Sequence, residues 1–543
     1  MQTTNLSSSN PALTQTANAG TWQPGNNPDH QPQNLTTQNP EQRVRTMEKS
    51  MVKNMAINFS GLVLPTFVSL ITVPAYIHLV GVERYGVISL VWTLIGYFGI
   101  LDLGMGMAAQ HAISKAHAAN DPEARSRVFW SAIWLNLGTG VIGGVLIYFG
   151  AFAYTAYVAH SSPAMQREVY HALPWLALAI PIANVSWVCA GAINGVERFG
   201  IYNTNQTIGT FLFQLLPLAA AWKIAPNLQT VLAAAVVARV LAVILLARAS
   251  FKVLDIKRIE WPQLGVAGGL FKFGGWMLVA TISSMITDSL DRILLGANLG
   301  ARFVTYYTVP QNLVTRLNML PNSLVRTLFP RLSADKREHA DAMVQQSLEF
   351  LNGVFTPIAL FVMLVLAPFL HLWVGQEIAI ASAPVGRILI IGVWLVGQAS
   401  VTRIMIQSQI NPATAARIGV VQLPFFVTAL WFGIAHFGPV GPASVVVLRS
   451  LADYGLLLWI SRINARPIAV DMLMHLAFLV AGLGVAFVID PIAYPLQSIA
   501  AAFVISGLNC CCSLLTRPAL RSMARSFVHE LNVRLKRRVK STV

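Results

Sequence analysis

FGGWMLVATISSMITDSLDRILLGA, Phe273 to Ala297, is apolar enough and long enough to cross a bilayer as a helix, yet it carries Asp288, Asp291 and Arg292. A spanning helix needs about 20 mainly apolar residues to cover ~30 Å of hydrocarbon. A charge at the bilayer centre costs roughly 2.5 to 3.5 kcal/mol on insertion scales, so such side chains face an internal cavity or a partner. The next apolar stretch, 303–328, repeats the pattern with Arg316 and Arg326. The two together predict a helical membrane protein with a charged interior.

Outward from this pair the same grain continues. Across 543 residues, 55% are hydrophobic and 11% charged, with a mean hydropathy of +0.59, which is the composition of a polytopic membrane protein. Further spans are predicted near 54–79, 85–108, 128–156, 172–193, 202–222, 228–248, 347–372, 384–408, 415–436, 440–461, 471–490 and 495–515. The fold expected is all-α with about 14 transmembrane helices. The domains expected are a disordered tail 1–50, a first lobe 51–250 (spans 1–6), a second lobe 251–465 (spans 7–12), an extra helix pair 466–516 and a basic tail 517–543. The first 41 residues are rich in Asn, Gln, Thr, Ser and Pro, a composition that does not support a packed core. No cleavable leader is read there, and the sequon at Asn34 carries little weight by itself.

Lysine and arginine set the orientation. With both termini inside, the outer loops hold only Arg84, Arg167, Lys223 and Arg302, against many basic residues on the inner face and in the stretch Arg534 to Lys540. The net charge of +16 therefore reports topology and contact with anionic membrane lipids, and nucleic acid is not an expected partner.

The chain does not read as an enzyme. It has no phosphate-loop signature, and its glycines at 265–275 read as a loop around Lys272. Cys510, Cys511 and Cys512 are consecutive, which splays their side chains around a helix, so no metal site and no cofactor are expected. His475 is a lone histidine in the thirteenth span that could titrate. The longest outer loop, near 159–170, is short for a set of catalytic groups, which counts against a sugar polymerase.

Transport remains, and the polar residues inside the spans are its candidates. Asp288, Asp291 and Arg292 share a helix face at i, i+3 and i+4, and Arg449 and Asp453 repeat the i, i+4 spacing; each pair reads either as glue between helices or as a gating or ion-coupling group. Arg239, Arg316 and Arg387 have no carboxylate one turn away, and Gln398 shares a face with Arg387. Arg326 and Arg403 lie nearer the inner face, where they can snorkel. Arginine outnumbers acid, which predicts a net positive cavity suited to phosphate or pyrophosphate, because the guanidinium fork donates two parallel hydrogen bonds and keeps its charge. Arg316, Arg239, Arg387 and Gln398 are the expected substrate-binding residues. Pro65 and Pro74 in the first span, and Pro310 and Pro321 in the eighth, permit kinks that read as static curvature or as hinges.

Val80 to Val87 (VGVERYGV) and Leu299 to Tyr307 (LGARFVTYY) close corresponding outer turns, an internal repeat of six spans with two appended. With Leu101 to Gly104 (LDLG), Asp291 to Gly300 (DRILLGANLG) and Phe329 to Ser333 (FPRLS), these stretches resemble the polysaccharide-unit flippases of the multidrug, oligosaccharidyl-lipid and polysaccharide exporter superfamily. The resemblance runs from about Met51 to Leu515. It implies two six-helix lobes in a V-shaped arrangement around a cationic lumen. It further implies a flippase of the bacterial inner membrane, both termini cytoplasmic, that moves an undecaprenyl-pyrophosphate-linked oligosaccharide outward by alternating access. A polysaccharide polymerase and export proteins are further candidate partners. The alternatives are a small-molecule exporter of the same superfamily and a membrane sugar polymerase. The first span, 54–79, lacks the charge that lipid II flippases and drug exporters of this resemblance class place there.

Overall fold

A backbone inside hydrocarbon has to satisfy its own hydrogen bonds, and this chain does so with helices alone: among the described residues of the computed structural model there is no strand. The structure describes residues 68–97, 105–158, 162–263, 289–334, 337–410, 412–463, 465–489 and 492–517, with isolated positions 265, 268 and 521. The N-terminal tail with Asn34, the positions Pro65, Asp102, Lys272 and Asp288, and the basic stretch from Arg534 lie outside them.

The first half contains α1 (Val68–Val80), α2 (Val82–Tyr97), α3 (Met105–Ala118), α4 (Pro122–Ala153), α5 (Pro163–Gly195), α6 (Phe199–Lys223) and α7 (Leu228–Leu254). α4 continues as a π-helical turn, Tyr154–Val158. The second half contains α8 (289–299), α9 (Ala301–Val314), α10 (Met319–Ala334), α11 (Arg337–Val374), α12 (Gln376–Gln409), α13 (Pro412–Phe437) and α14 (Val440–Ser461). α15 (Ala465–Val488) and α16 (Pro495–Thr516) follow.

Local chemistry fixes the breaks between these helices. Asp121, Ser162 and Asn227 cap α4, α5 and α7 by accepting hydrogen bonds from the amides of Ala124, Met165 and Thr230, and proline follows at once in the first two. Gly81 and Gly300, equivalent positions of the internal repeat, take φ of +85° and +93° at the turns before α2 and α9, a region closed to most side chains.

Nine described helices are long and apolar enough to cross a membrane. The sequence predicts about 14 spans, and the second of them, 85–108, is described only in part. The fifth span, α6, opens on the polar run Asn203 to Thr207, the eighth is divided between α9 and α10, and parts of the first and seventh fall outside the described residues. Between α9 and α10 the chain forms a 3-10 turn, Thr315–Asn318. Pro310 and Pro321 bracket it, each removing a donor from the helical ladder.

α4, α5, α6 and α7 pack on one another, with α3 on α4 and α5; α9, α10, α11, α13 and α14 surround α12, whose Trp394, Val385 and Ile390 are fully buried. α15 and α16 pack on α11. The halves meet where α2 lies against α9, the two repeat segments side by side. Gly86 makes that approach possible, since a Cβ there would fall 1.9 Å from the Ala301 carbonyl oxygen, and the Thr305 hydroxyl donates to the Val82 carbonyl at 2.7 Å. The large apolar side chains left at the surface, such as Phe149, Phe425, Trp459 and Phe503, suit contact with lipid tails.

On the predicted outer side each half ties down one of its arginines. Arg84 of α2 donates to Glu168 of α5 at 2.8 Å, and Glu168 also accepts from the first amide of α7. Arg302 of α9 pairs with Glu377 of α12, which accepts from the Tyr306 hydroxyl as well. Hydrogen bonds from Arg84 hold the Glu168 carboxyl below the usual glutamate value of 4.5. Its stabilising share is therefore present above that value and lost as pH falls through the lowered one. For a pair this exposed the share is about 0 to 1 kcal/mol. Thermal unfolding of the native protein and Glu168→Gln should differ by that small amount at neutral pH and converge well below pH 4.5.

Candidate functional site

The break in the eighth span places a charge where a continuous helix would not hold it. Arg316 sits on the 3-10 turn and faces a cavity of about 290 Å³ between the halves. From α8 of the second half comes Arg292, and α9 adds Thr308 and Asn312. The first half supplies Ser69 and Thr72 of α1, Tyr85, Ser89 and Trp92 of α2, and Phe213 and Gln214 of α6. Trp373 of α11 closes one end and donates its indole N–H to the Leu70 carbonyl across the halves. The charged side chains among the described lining residues are both arginines.

Arg292 is held in place by its neighbours. Its Nε donates to Gln311 Oε1 at 2.8 Å, while Gln311 Nε2 donates to Asp291 Oδ2 at 3.3 Å and the Tyr307 hydroxyl donates to the same oxygen at 2.6 Å. Asp291 is thus buried behind the cavity, with Gln311 linking it to the arginine that faces in. Aromatic rings make part of the lining: Trp92 lies on Phe213 with centroids 5.8 Å apart, and Tyr76, buried outside the cavity, packs on Trp92 at 5.2 Å. Among the described residues, the Trp92 indole N–H and the Thr308 hydroxyl are buried without a hydrogen-bond partner. The arrangement offers two cations for an anion, donors for hydroxyl groups and ring faces for stacking.

The other residues singled out from the sequence do not converge here. Arg239 lies behind the aromatic wall, its guanidinium 4.9 Å over the Phe213 ring. Arg387 is buried in the second half over Phe487 of α15 at 5.6 Å, with Nε and Nη2 unpartnered among the described residues. Gln398 is fully buried three turns further along the same helix, so it cannot act on the same group. Asp453 does not take Arg449 as its partner; Arg403 of α12 pairs with it and Gln422 of α13 donates to it at 3.4 Å, while Arg449 lies over the Phe426 ring at 4.5 Å. Helical spacing shows only which residues share a face, and here the neighbouring helix supplies the closer partner.

One cluster escaped the sequence reading. Asp471 accepts from Arg517 at 3.0 Å and from Asn352 at 2.8 Å; Arg517 also lies 3.6 Å from Glu349, and Asn509 bonds the ring of His475. It ties α15 and α16 to α11. The signal was available, because adjacent antiparallel spans bring the start of one and the end of the other together, here Asp471 and Arg517.

A family model described as polysaccharide biosynthesis protein matches residues 51–336. A curated Shigella flexneri protein provisionally named as an O-antigen transporter is 26% identical over 412 residues, 76% of this chain and 97% of its own. Among solved structures, the lipid II flippase MurJ in an inward closed conformation aligns with a TM-score of 0.67 at 13% identity, over 84% of this chain and 99% of that one. An inward-facing multidrug resistance MATE transporter of the MOP superfamily aligns with a TM-score of 0.62 at 14% identity, over 75% and 95%. These likenesses establish a shared helical fold, and the match of the family model over more than half its length establishes that this chain belongs to the polysaccharide biosynthesis protein family.

Proposed function

We propose that this protein is a flippase that carries an undecaprenyl-pyrophosphate-linked oligosaccharide from the inner to the outer leaflet of the cytoplasmic membrane. The cavity shared by the halves carries the reading, since Arg292 and Arg316 provide the paired guanidinium chemistry that a pyrophosphate takes. The aromatic rings of Trp92, Tyr85 and Phe213 suit the apolar faces of sugar rings, and the amide side chains of Gln214 and Asn312 in the lining suit their hydroxyls. Membership of the family and the O-antigen transport named for the Shigella flexneri relative support the same substrate class.

The drive can come from the membrane potential. Negative charge moving outward from an electrically negative interior gains about 2.3 kcal/mol per charge per 100 mV. Among the described residues, the buried Asp291, linked through Gln311 to Arg292, is the carboxylate best placed to couple ion movement to the cavity. Asp453, paired with Arg403, sits in a separate network.

Reconstitution tests the proposal. Proteoliposomes holding a fluorescent undecaprenyl-pyrophosphate-linked oligosaccharide should expose it to an impermeant quencher faster than protein-free vesicles do. Arg316→Ala should reduce the difference about tenfold or more. Exposure at the protein-free rate with native protein would sink the proposal.

A further inference from the structure

A second chamber, of about 250 Å³, lies behind the same two helices that wall the cationic one. The residues of α2 divide between them: Tyr85, Ser89 and Trp92 line the first, Val87, Leu90 and Val91 the second. α8 divides in the same manner, with Arg292 in one and Ile293 and Gly296 in the other. The partition is one helix thick, about 10 Å. Both chambers draw on both halves of the molecule.

The second chamber is lined by apolar side chains of α2, α4, α5 and α7, and its two hydroxyl groups are already engaged. Tyr154 donates to the Ile293 carbonyl at 2.9 Å, and Thr155 donates to the Ala151 carbonyl at 2.8 Å. Nothing there is left to hold a headgroup. An apolar cavity of about 150 Å³ in another protein already takes benzene, so this volume accommodates a short length of branched hydrocarbon.

From this juxtaposition we infer that the apolar chamber receives the first isoprenoid units of a polyprenyl pyrophosphate while its headgroup occupies the cationic chamber. The inference rests on the function proposed above and adds where the lipid portion sits. An amphiphile whose anion and hydrocarbon are joined fits two adjoining chambers of opposite character. Movement of α2 against α8 and α9 would then act on headgroup and chain together.

Gly150 lines the apolar chamber, and a Cβ built there meets nothing within 4 Å, so Gly150→Leu and Gly150→Phe fill the space without a backbone clash. Gly138, on the same helix and equally open, lies outside the chamber, and Gly138→Phe is the control. The full chain in nanodiscs is tested with three probes: inorganic pyrophosphate, a diazirine-bearing farnesyl pyrophosphate and a diazirine-bearing phosphatidylglycerol. Farnesyl adducts should map to α2, α4 or α5 and fall about tenfold in both Gly150 variants, while Gly138→Phe and pyrophosphate affinity stay within about twofold of native. Equal adducts in native and Gly150 variants, or equal labelling of those peptides by phosphatidylglycerol, would overturn the assignment. Pyrophosphate binding that depends on Arg316, with no farnesyl adduct on these helices, would overturn it and leave the proposed function standing. Gly150-dependent adducts without pyrophosphate binding would uphold the chamber and remove the headgroup reading.

Discussion

Surface-glycan export should fall about tenfold to a hundredfold when Arg316 is replaced by alanine at equal membrane expression, because a hydrogen bond to a charged group contributes roughly 1.5 to 3 kcal/mol. Arg292→Ala should fall by at least as much, since Gln311, itself bonded to Asp291, holds that guanidinium toward the cavity and loses a partner with it. Arg316→Lys keeps the charge but not the planar fork, so its export should lie between native and alanine. Arg239→Ala gives the contrast: its guanidinium is behind Phe213 and touches the cavity only through that ring, so its effect should be smaller. Undiminished export in both Arg316 variants would remove that residue from substrate binding.

The second large effect is expected at Gly86, an uncharged member of the repeated stretch Val80 to Val87. Any Cβ there meets the Ala301 carbonyl at 1.9 Å, far inside the ~3.5 Å of ordinary contact, and the obstacle is backbone that cannot swing aside. Gly86→Leu should therefore hold α2 off α9 and reduce transport to background. The measurement is thiol labelling from outside of Ala301→Cys, in a protein whose four native cysteines have been replaced. Ala301 is buried against α2, so the native pairing should protect it and Gly86→Leu should make it reactive. Full transport by Gly86→Leu would show that this contact is not part of the cycle.

The two predictions differ in how they could be reached. Arg316 announces itself in the sequence, because an arginine without a carboxylate one turn away in an apolar stretch has few places to go. Its position on a 3-10 turn between Pro310 and Pro321 follows from the lost donors of those prolines, also legible in advance. Arg292 was visible and read as one half of a pair with Asp288, which lies outside the described residues; the structure adds a bond to Gln311, nineteen residues away on α9, and a place on the cavity lining. Arg387 and Gln398 lie away from this cavity. Both are buried in the second half, Arg387 over Phe487 of α15.

The amino-acid sequence determined that this is a helical membrane protein with arginines inside its apolar stretches, and its basic loops and repeated segments set expectations for orientation and for two related halves. Apolar length, proline, glycine and charge act locally or along one helix, so their consequences can be read without the fold. Tertiary structure decided which charges meet. It set Arg292 and Arg316 on one cavity and Arg239 behind Phe213, gave Asp453 to Arg403, and joined Asp471 to Arg517. It also placed a cationic and an apolar chamber on opposite sides of α2. Those outcomes depend on the rotation and approach of neighbouring helices, which close contacts such as Gly86 on Ala301 fix and which no single helix encodes.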